Sequence, residues 1–177
     1  MSIRRLYAQP LTADAFAPYG DVIEASASRE HFPINYGRTT RYHALAQAEL
    51  SGEEDAAIIS IFRSQPVALP FRAEVMERHP RGSQAFMPLS ANPYLVAVAP
   101  PGPFDVNAVT LFVAAPGQGV NYRRGTWHHY SLALNGASDF LVVDRQGPGD
   151  NCDEVALEPS LEFALAPDSR LSAGEQA

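Results

Sequence analysis

Proline and glycine divide this chain into short apolar segments, and that spacing limits its fold more than any other feature. Fifteen prolines and twelve glycines occur among its 177 residues. Both residue types interrupt regular elements and favour turns. The apolar runs between them are about five to nine residues long, which is a strand length rather than a helix length. We therefore predict a fold dominated by β-structure, with a few short helices mainly near the N-terminus.

Eight segments have the composition of strands. They are residues 58–63, 71–79, 84–88, 94–99, 109–114, 119–124, 127–133 and 139–144. Eight strands in one domain suit a cupin-like β-barrel or jelly roll. Thr12 is a predicted N-cap of a short helix over 13–16, which Pro18 and Gly20 would end. A second helix is predicted over 42–50.

Length, charge and cysteine content narrow the class of protein further. We expect one domain over 1–166 and a small, polar, frayed tail over 167–177. The single cysteine, Cys152, allows no intrachain disulfide and favours a reducing cytoplasm. No apolar stretch approaches the ~18 residues of a membrane span. The net charge of −7, with only scattered basic residues, argues against a nucleic-acid partner.

The predicted strand 71–79 carries two groups that point to a functional site. Side chains alternate along a strand, so Glu77 and His79 share a face with the apolar Phe71, Ala73 and Val75. A carboxylate on a buried face is costly unless it is paired, coordinated or neutralised. Glu77 and His79 are therefore candidate catalytic residues at the mouth of a barrel.

A second candidate lies in the predicted strand 127–133. Alternation places His128 on one face and Trp127 and His129 on the other. His128 is the candidate for the cavity, whereas His129 is expected to be a surface or interface histidine. Together Glu77, His79 and His128 would form a two-histidine, one-carboxylate set that zinc, nickel or iron accepts, if a metal is bound.

Substrate-binding groups are predicted around these three residues. Gln84 follows the turn at 80–83 and could point back to His79, and its amide suits a urea or carboxamide group. Tyr122 and Asn35 could add hydrogen bonds. A small acid would also need an arginine, whose fork binds a carboxylate with two hydrogen bonds. Arg63 ends the strand 58–63 and alternates with Ile59 and Ile61, so it is predicted to turn inwards with them. The alternatives are Arg41, Arg124 and Arg145.

The spacing of these residues resembles the two motifs of the cupins. The first motif reads Glu77-x-His79-x4-Gln84 and the second Gly117-x5-Arg123-x-Gly125-x2-His128. With its flanks, the chain closely resembles the bacterial ureidoglycolate lyase family of allantoin degradation, once described as hydrolases. The resemblance covers residues 11 to about 165 and is carried by 15–24, 35–37, 41–43, 63–66, 77–80, 83–88, 117–122, 127–129 and 150–153.

The resemblance implies a cupin-like β-barrel, usually a homodimer, that uses nickel and splits (S)-ureidoglycolate into glyoxylate and urea. Glu77 and Gln84 stand where a general cupin has a histidine and a glutamate. As a working hypothesis, Arg63 would anchor the substrate carboxylate, His79 or Glu77 would accept the hydroxyl proton, Gln84 would orient the ureido group and His128 would be the acid.

Two other functions fit the same residues. One is a ureidoglycolate amidohydrolase, which would release ammonia and carbon dioxide instead of urea. The other is a cupin that binds a small acid without transforming it, because a fold by itself does not define a reaction.

Overall fold

The protein is built almost entirely from short strands. The computed structural model describes residues 3–167, within which there are fourteen strands and three single-turn helices. The strands are β1 (Arg4–Pro10), β2 (Gly20–Ile23), β3 (His31–Ile34), β4 (Thr39–Tyr42), β5 (Ala56–Ser64), β6 (Phe71–Arg78), β7 (Gln84–Pro88), β8 (Tyr94–Ala99), β9 (Thr110–Ala114), β10 (Gly119–Tyr122), β11 (Trp127–His128), β12 (Leu132–Ala133), β13 (Ser138–Gln146) and β14 (Asp153–Leu165). The helical turns are α1 (Ala13–Phe16) and the 3-10 turns Asn35–Gly37 and Val106–Ala108.

Two sheets make up the body of the domain. The larger one has the order β11-β6-β14-β1-β9-β8-β12, and β11 also pairs with β8, so six of its strands close into a ring. The second sheet has the order β2-β10-β7-β13-β5, while β3 and β4 form a separate hairpin. A closed ring with a sheet packed on its side confirms the predicted cupin-like, all-β fold. No helix in residues 3–167 is long and apolar enough to cross a membrane.

The domain has two apolar cores because the strands of the ring are buried on both faces. β8 shows this most clearly: all six of its residues are buried. Leu95, Ala97 and Ala99 belong to the cluster that fills the ring. Tyr94, Val96 and Val98 belong to the cluster between the ring and the second sheet. A strand covered on both sides needs an uninterrupted apolar run, which its sequence YLVAVA supplies.

The strand predictions hold for most of the chain. Each of the eight predicted segments contains a strand, but 127–133 divides into the two short strands β11 and β12. The predicted helix α1 is confirmed, and the Thr12 hydroxyl accepts from the Ala15 amide at 3.3 Å. Strands β1 to β4 and β14 were not predicted. Of the predicted tail over 167–177, all but Pro167 lies outside the described residues.

The predicted helix over 42–50 is wrong. Tyr42 ends β4, and the following residues form no helix. Their end is tied to the body by the turn before β7: Ser83 Oγ accepts from the Glu49 amide at 2.8 Å, and the Ser83 amide donates to the Glu49 carbonyl at 3.1 Å. These contacts, with the bridge between Leu50 and Gly82, hold the segment in a strand-like path, so tertiary hydrogen bonds override local helix propensity.

His129 is a core residue, contrary to the surface or interface role predicted for it. It is buried, and its ring packs edge-on against Phe71 at 5.5 Å and against Phe163 at 5.8 Å between ring centroids. Burial lowers its pKa to about 4, while a hydrogen bond to the Tyr130 carbonyl opposes that shift. His129 therefore folds as a neutral imidazole.

This burial predicts how stability depends on pH. The unfolded chain binds a proton at His129 below about pH 6.5, whereas the folded chain does so only near pH 4, so stability is lost as the pH falls through this window. In a His129→Asn variant, the slope of unfolding free energy against pH should decrease by up to about 1.4 kcal/mol per pH unit there. Urea unfolding from pH 7 to 4 measures it. The exposed His31→Asn variant should keep the wild-type slope; equal slopes for both variants would contradict the prediction.

Candidate active site

A tight turn brings the two predicted motifs together. The Gly125 amide donates to the His79 carbonyl at 2.9 Å, and the Thr126 amide donates to the Arg123 carbonyl at 3.0 Å. Gly125 has a φ of +81°, a left-handed conformation that glycine adopts without steric cost. The turn leads directly into β11, in which His128 pairs with Glu77 of β6. The second motif thus places its histidine against the carboxylate of the first.

Three side chains form a compact cluster between the ring and the second sheet. His128 Nδ1 lies 3.8 Å from Glu77 Oε1. The rings of His79 and His128 are 5.1 Å apart between centroids. One ligand atom from each of the three residues lies within 4.8 Å of the other two. The grouping of Glu77, His79 and His128 predicted from the sequence is therefore present in the structure.

The predicted common face of strand 71–79 is only partly present. Ala73 and Met76, three residues apart, both lie in the core of the ring, whereas Glu77 and His79 meet His128 on the opposite side of the sheet. Strict alternation fails because the pairing of β6 with β14 changes register in the middle of the strand. The apolar residues at the start of β6 therefore do not identify the face that Glu77 occupies.

His128 is held as a neutral ring deep in the cluster. Its side chain is 1% exposed and stacks on Tyr122, with the ring planes 2° apart and the centroids 4.2 Å apart. Burial, followed by the proximity of His79, lowers its pKa to about 3. Burial therefore favours the neutral form of the His128 ring, and its role as the acid stays a prediction.

Glu77 is better suited to exchange a proton. Burial raises the pKa of its carboxyl, with His79 opposing the shift and Glu154 adding to it. Its side chain is still 26% exposed, so solvent or a bound substrate can reach it. A carboxyl group whose pKa is raised towards neutrality can act as a general base and then return the proton.

A chain of hydrogen bonds fixes His79. Its Nδ1 lies 2.6 Å from the Asn151 carbonyl oxygen, and its Nε2 lies 3.2 Å from Gln84 Oε1. The other end of the Gln84 amide donates to Asp144 Oδ2 at 3.3 Å. The predicted contact of Gln84 with His79 is therefore present. With Nδ1 committed to the Asn151 carbonyl, Nε2 is the ring atom that faces the cluster.

The cluster also fits a divalent transition metal. Two imidazoles and a carboxylate are ligands that nickel, zinc and iron accept. His128 Nε2 is buried and has no hydrogen-bond partner in the part of the chain that the structure describes. His79 is oriented through Nδ1 by a carbonyl oxygen, as the histidine ligands of metal sites commonly are. A second group of possible ligands consists of Glu77, Cys152 and Glu154. Their ligand atoms also lie within 4.8 Å of one another, at the exposed side of the cluster.

Comparison with known proteins shows to which family the chain belongs. A family profile described as ureidoglycolate lyase matches residues 3–164. The chain belongs to the ureidoglycolate lyase family. It is 51% identical over 166 residues to a protein named ureidoglycolate lyase from Pseudomonas syringae pv. tomato, covering 93% of this chain and 97% of the relative.

Other members of the ureidoglycolate lyase family are equally similar. A relative with that name from Pseudomonas fluorescens SBW25 is 51% identical over 166 residues, with 93% of this chain and 99% of the relative covered. One from Pseudomonas aeruginosa LESB58 is 51% identical over 168 residues, with 94% and 99% covered. The similarity thus includes all the strands that build the cluster.

Two of the predicted substrate-binding residues do not contact the cluster of Glu77, His79 and His128. Arg63 was predicted to turn inwards, and that orientation is wrong: its guanidinium is exposed on the outer face of β5 and pairs with Asp139 at 2.7 Å. Asn35 lies at the exposed tip of the β3–β4 hairpin, where it donates to Thr39 Oγ1 at 3.3 Å. Its contacts lie within the hairpin rather than at the cluster.

The other arginines considered as carboxylate anchors also have other environments. Arg145 forms an ion pair of 2.5 Å with Asp55, with both side chains almost fully buried. Arg41 is exposed on β4, and Arg124 is exposed in the turn before β11. Among the arginines of residues 3–167, no hydrogen bond or ion pair reaches Glu77, His79 or His128.

Asp144 and Asn151 belong to the site but were not predicted. Asp144 contacts Gln84 through its side chain, and Asn151 contacts His79 through its backbone carbonyl. A sequence signal existed for Asp144, because it alternates with Phe140 and Val142, which are fully buried. For Asn151 no sequence signal existed, since a carbonyl group is common to every residue.

Proposed function

We propose that this chain is a lyase that cleaves (S)-ureidoglycolate to glyoxylate and urea, as a step of allantoin degradation that releases nitrogen for use. The cluster of Glu77, His79 and His128 with Gln84, in a member of the ureidoglycolate lyase family, carries the proposal. The names of the relatives support the reaction. A cytoplasmic location belongs to the same proposal.

The substrate dictates which groups the reaction needs. Ureidoglycolate carries a hydroxyl group and a ureido nitrogen on the same carbon, so its cleavage requires a base for the hydroxyl proton and an acid for the departing nitrogen. Glu77, whose pKa is raised by burial, is the base in this proposal. His79 Nε2, which faces the cluster, donates the proton to the nitrogen.

The step balances without a co-reactant. The O–H bond breaks as its proton passes to Glu77, the C–O bond becomes a carbonyl, and the C–N bond breaks. The electron pair of the C–N bond goes to the urea nitrogen, which receives the proton from His79. Proton transfer from Glu77 back to His79 restores the site, and the products are glyoxylate and urea.

The remaining residues bind and shield the reacting groups in this proposal. Gln84 Oε1 accepts from the ureido N–H groups. Tyr122 holds His128 by stacking. If nickel is bound, the metal that the family resemblance implies, Glu77, His79 and His128 would instead hold it, and it would supply positive charge to the substrate's hydroxyl and carboxylate oxygens.

The proposal also includes a homodimer, which the family resemblance implies. The outer face of the second sheet is apolar where β5 forms its edge: Ile59 is 72% exposed and Ile61 is 55% exposed. Leu141 and Val143 of β13 lie directly beside them. An exposed apolar face of this kind is typical of a protein–protein interface, and a second copy of the chain would cover it.

A product assay tests the reaction and separates the alternatives. Chelator-treated and nickel-loaded protein should be incubated with each ureidoglycolate enantiomer, and glyoxylate, urea and ammonia measured. We expect equimolar glyoxylate and urea from the (S)-enantiomer, with more activity after nickel loading. Ammonia in place of urea would indicate the amidohydrolase. Tight glyoxylate binding by calorimetry without turnover of either enantiomer would indicate a binding cupin.

Loss of the proposed proton donor should affect turnover more than folding. A positioned acid or base contributes roughly 10²–10⁴-fold to a rate, so His79→Ala should lower kcat by about that factor. Steady-state kinetics measure it, and thermal unfolding followed by circular dichroism verifies the fold. His31→Ala, at an exposed site, should retain wild-type kcat. Normal turnover by a folded His79→Ala protein would remove His79 from the mechanism.

A charge on the apolar outer face should separate the subunits. Ile59→Glu places a carboxylate where the second copy would pack, so light scattering should give the dimer mass for the wild type and the monomer mass for the variant. Ile3→Glu, at a half-exposed isoleucine that precedes β1 of the ring, should remain dimeric. A monomeric wild type would refute the dimer.

A further inference from the structure

Asp144 is a carboxylate in an unexpected place. It lies near the end of β13, on the face where Phe140 and Val142 are fully buried. Its Oδ1 atom is buried and has no hydrogen-bond partner among the described residues. The adjacent Arg145 pairs with Asp55 rather than with Asp144. A carboxylate with one buried, unpaired oxygen is costly, so a gain in folding stability does not explain why an acid stands at this half-buried position.

Within residues 3–167, the hydrogen-bond partner of the Asp144 side chain is the amide of Gln84. Gln84 Nε2 donates to Asp144 Oδ2 at 3.3 Å. The two strands are neighbours, since Ala85 of β7 pairs with Val143 of β13. Gln84 is itself buried, with an exposed fraction of 7%. Asp144 therefore reaches the site through Gln84, and its side chain makes no hydrogen bond to Glu77, His79 or His128.

The chemistry of a carboxylate decides which way the Gln84 amide points. A glutamine amide has a donor end and an acceptor end of nearly identical shape, and its orientation is set by its hydrogen-bond partners. An ionised carboxylate only accepts, so the NH₂ group of Gln84 must face Asp144. The carbonyl oxygen then faces the opposite way, where it lies 3.2 Å from His79 Nε2.

We propose that Asp144 is a positioning residue that fixes the Gln84 amide with its carbonyl oxygen towards the substrate, so that the site selects a ligand bearing N–H donors. The identity of that ligand as a ureido acid rests on the function proposed above. A ureido group offers N–H donors to this oxygen, whereas an ester or a second carboxylate offers only acceptors. A site built around a hydrogen bond discriminates strongly against ligands that lack the matching group.

The first test is Asp144→Asn. Asparagine can donate as well as accept, so Gln84 is free to turn its NH₂ group towards the substrate in part of the molecules. Losing one oriented hydrogen bond corresponds to roughly a five- to tenfold rise in KM for ureidoglycolate, with a smaller change in kcat. Thermal unfolding should show no loss of stability, because the substitution removes the charge of a half-buried carboxylate. A stability loss with unchanged KM would show that Asp144 has a structural role instead.

A reversed pair provides a rescue. Gln84→Glu alone sets two carboxylates against each other and should raise KM further. In the double variant Gln84→Glu/Asp144→Asn, the new asparagine donates to the new glutamate, and the second oxygen of that glutamate again faces the site as an acceptor. We expect the double variant to recover a lower KM than Gln84→Glu alone. Additive effects of the two substitutions would overturn the proposal.

The matched control is Asp139→Asn. Asp139 is on the same strand but on its outer face, where it pairs with Arg63, and this variant should keep wild-type KM. Asp144→Asn and Asp139→Asn differ only in the face on which the charge is removed. An equal rise in KM in both variants would assign the effect to β13 as a whole and refute the role of Asp144.

A spectroscopic measurement tests the orientation of the Gln84 amide without requiring turnover. In protein labelled with ¹⁵N at glutamine side chains, the Gln84 NH₂ signal is identified by its loss in Gln84→Ala. This signal should shift in Asp144→Asn and remain in place in Asp139→Asn. If ureidoglycolate is not cleaved at all, the proposed function fails while this measurement still tests the orientation. An unchanged signal in Asp144→Asn would refute the proposal even in an active enzyme.

Discussion

The pairing of the two-residue strand β11 with both β6 and β8 is the contact on which the rest of the structure depends. It closes six strands into a ring, and the same two residues supply groups to both sides of the sheet. Trp127 packs into the core of the ring, while His128 faces Glu77 across the pairing with β6. Ring closure and assembly of the site are therefore the same event, because neither can form without β11.

Burial gives the cluster its chemical character. It raises the pKa of Glu77 and lowers that of His128, so both shifts favour the neutral form of the group. The raised pKa of Glu77 makes its carboxylate a stronger base, which suits the removal of a hydroxyl proton. A cation in the same position would favour ionised Glu77 and neutral His128, and hence would be compatible with the same residues.

The sequence predicted the parts of the fold in which burial is continuous. Strand β8 is an unbroken apolar run between turns, and β9 is one after its first residue, Thr110. The turn at Gly125 gives the second motif a fixed length. Strand β14 was missed because Pro159 and three glutamates interrupt its pattern, and only the register shift against β6 shows how it is accommodated. Short strands such as β2 and β4 carry too few residues for a periodic signal.

The site could be predicted as far as its residue types, but not in the direction of every side chain. Glu77, His79, His128 and Gln84 meet as expected. Arg63 was misplaced because Ile59 and Ile61 on the same face were taken to point into the core, whereas both are exposed. Alternation shows which residues of a strand share a face. It does not show which of the two faces is buried when both are apolar. Asp144 was missed, although its alternation with Phe140 and Val142 places it on their face of the strand.

The position of β14 has a consequence for how the protein is made. This strand lies between β6 and β1 and pairs in parallel with β1, so Arg4 is beside Leu161. The edge of β1 that pairs with β14 therefore stays open until residues 153–165 have been synthesised, although the other edge of β1 can already pair with β9. Such a long sequence separation makes folding slow and leaves strand edges open in the meantime. The ring closes only after residues 153–165 have been synthesised, so the facing edges of β1 and β6 remain unpaired while the chain between them is made.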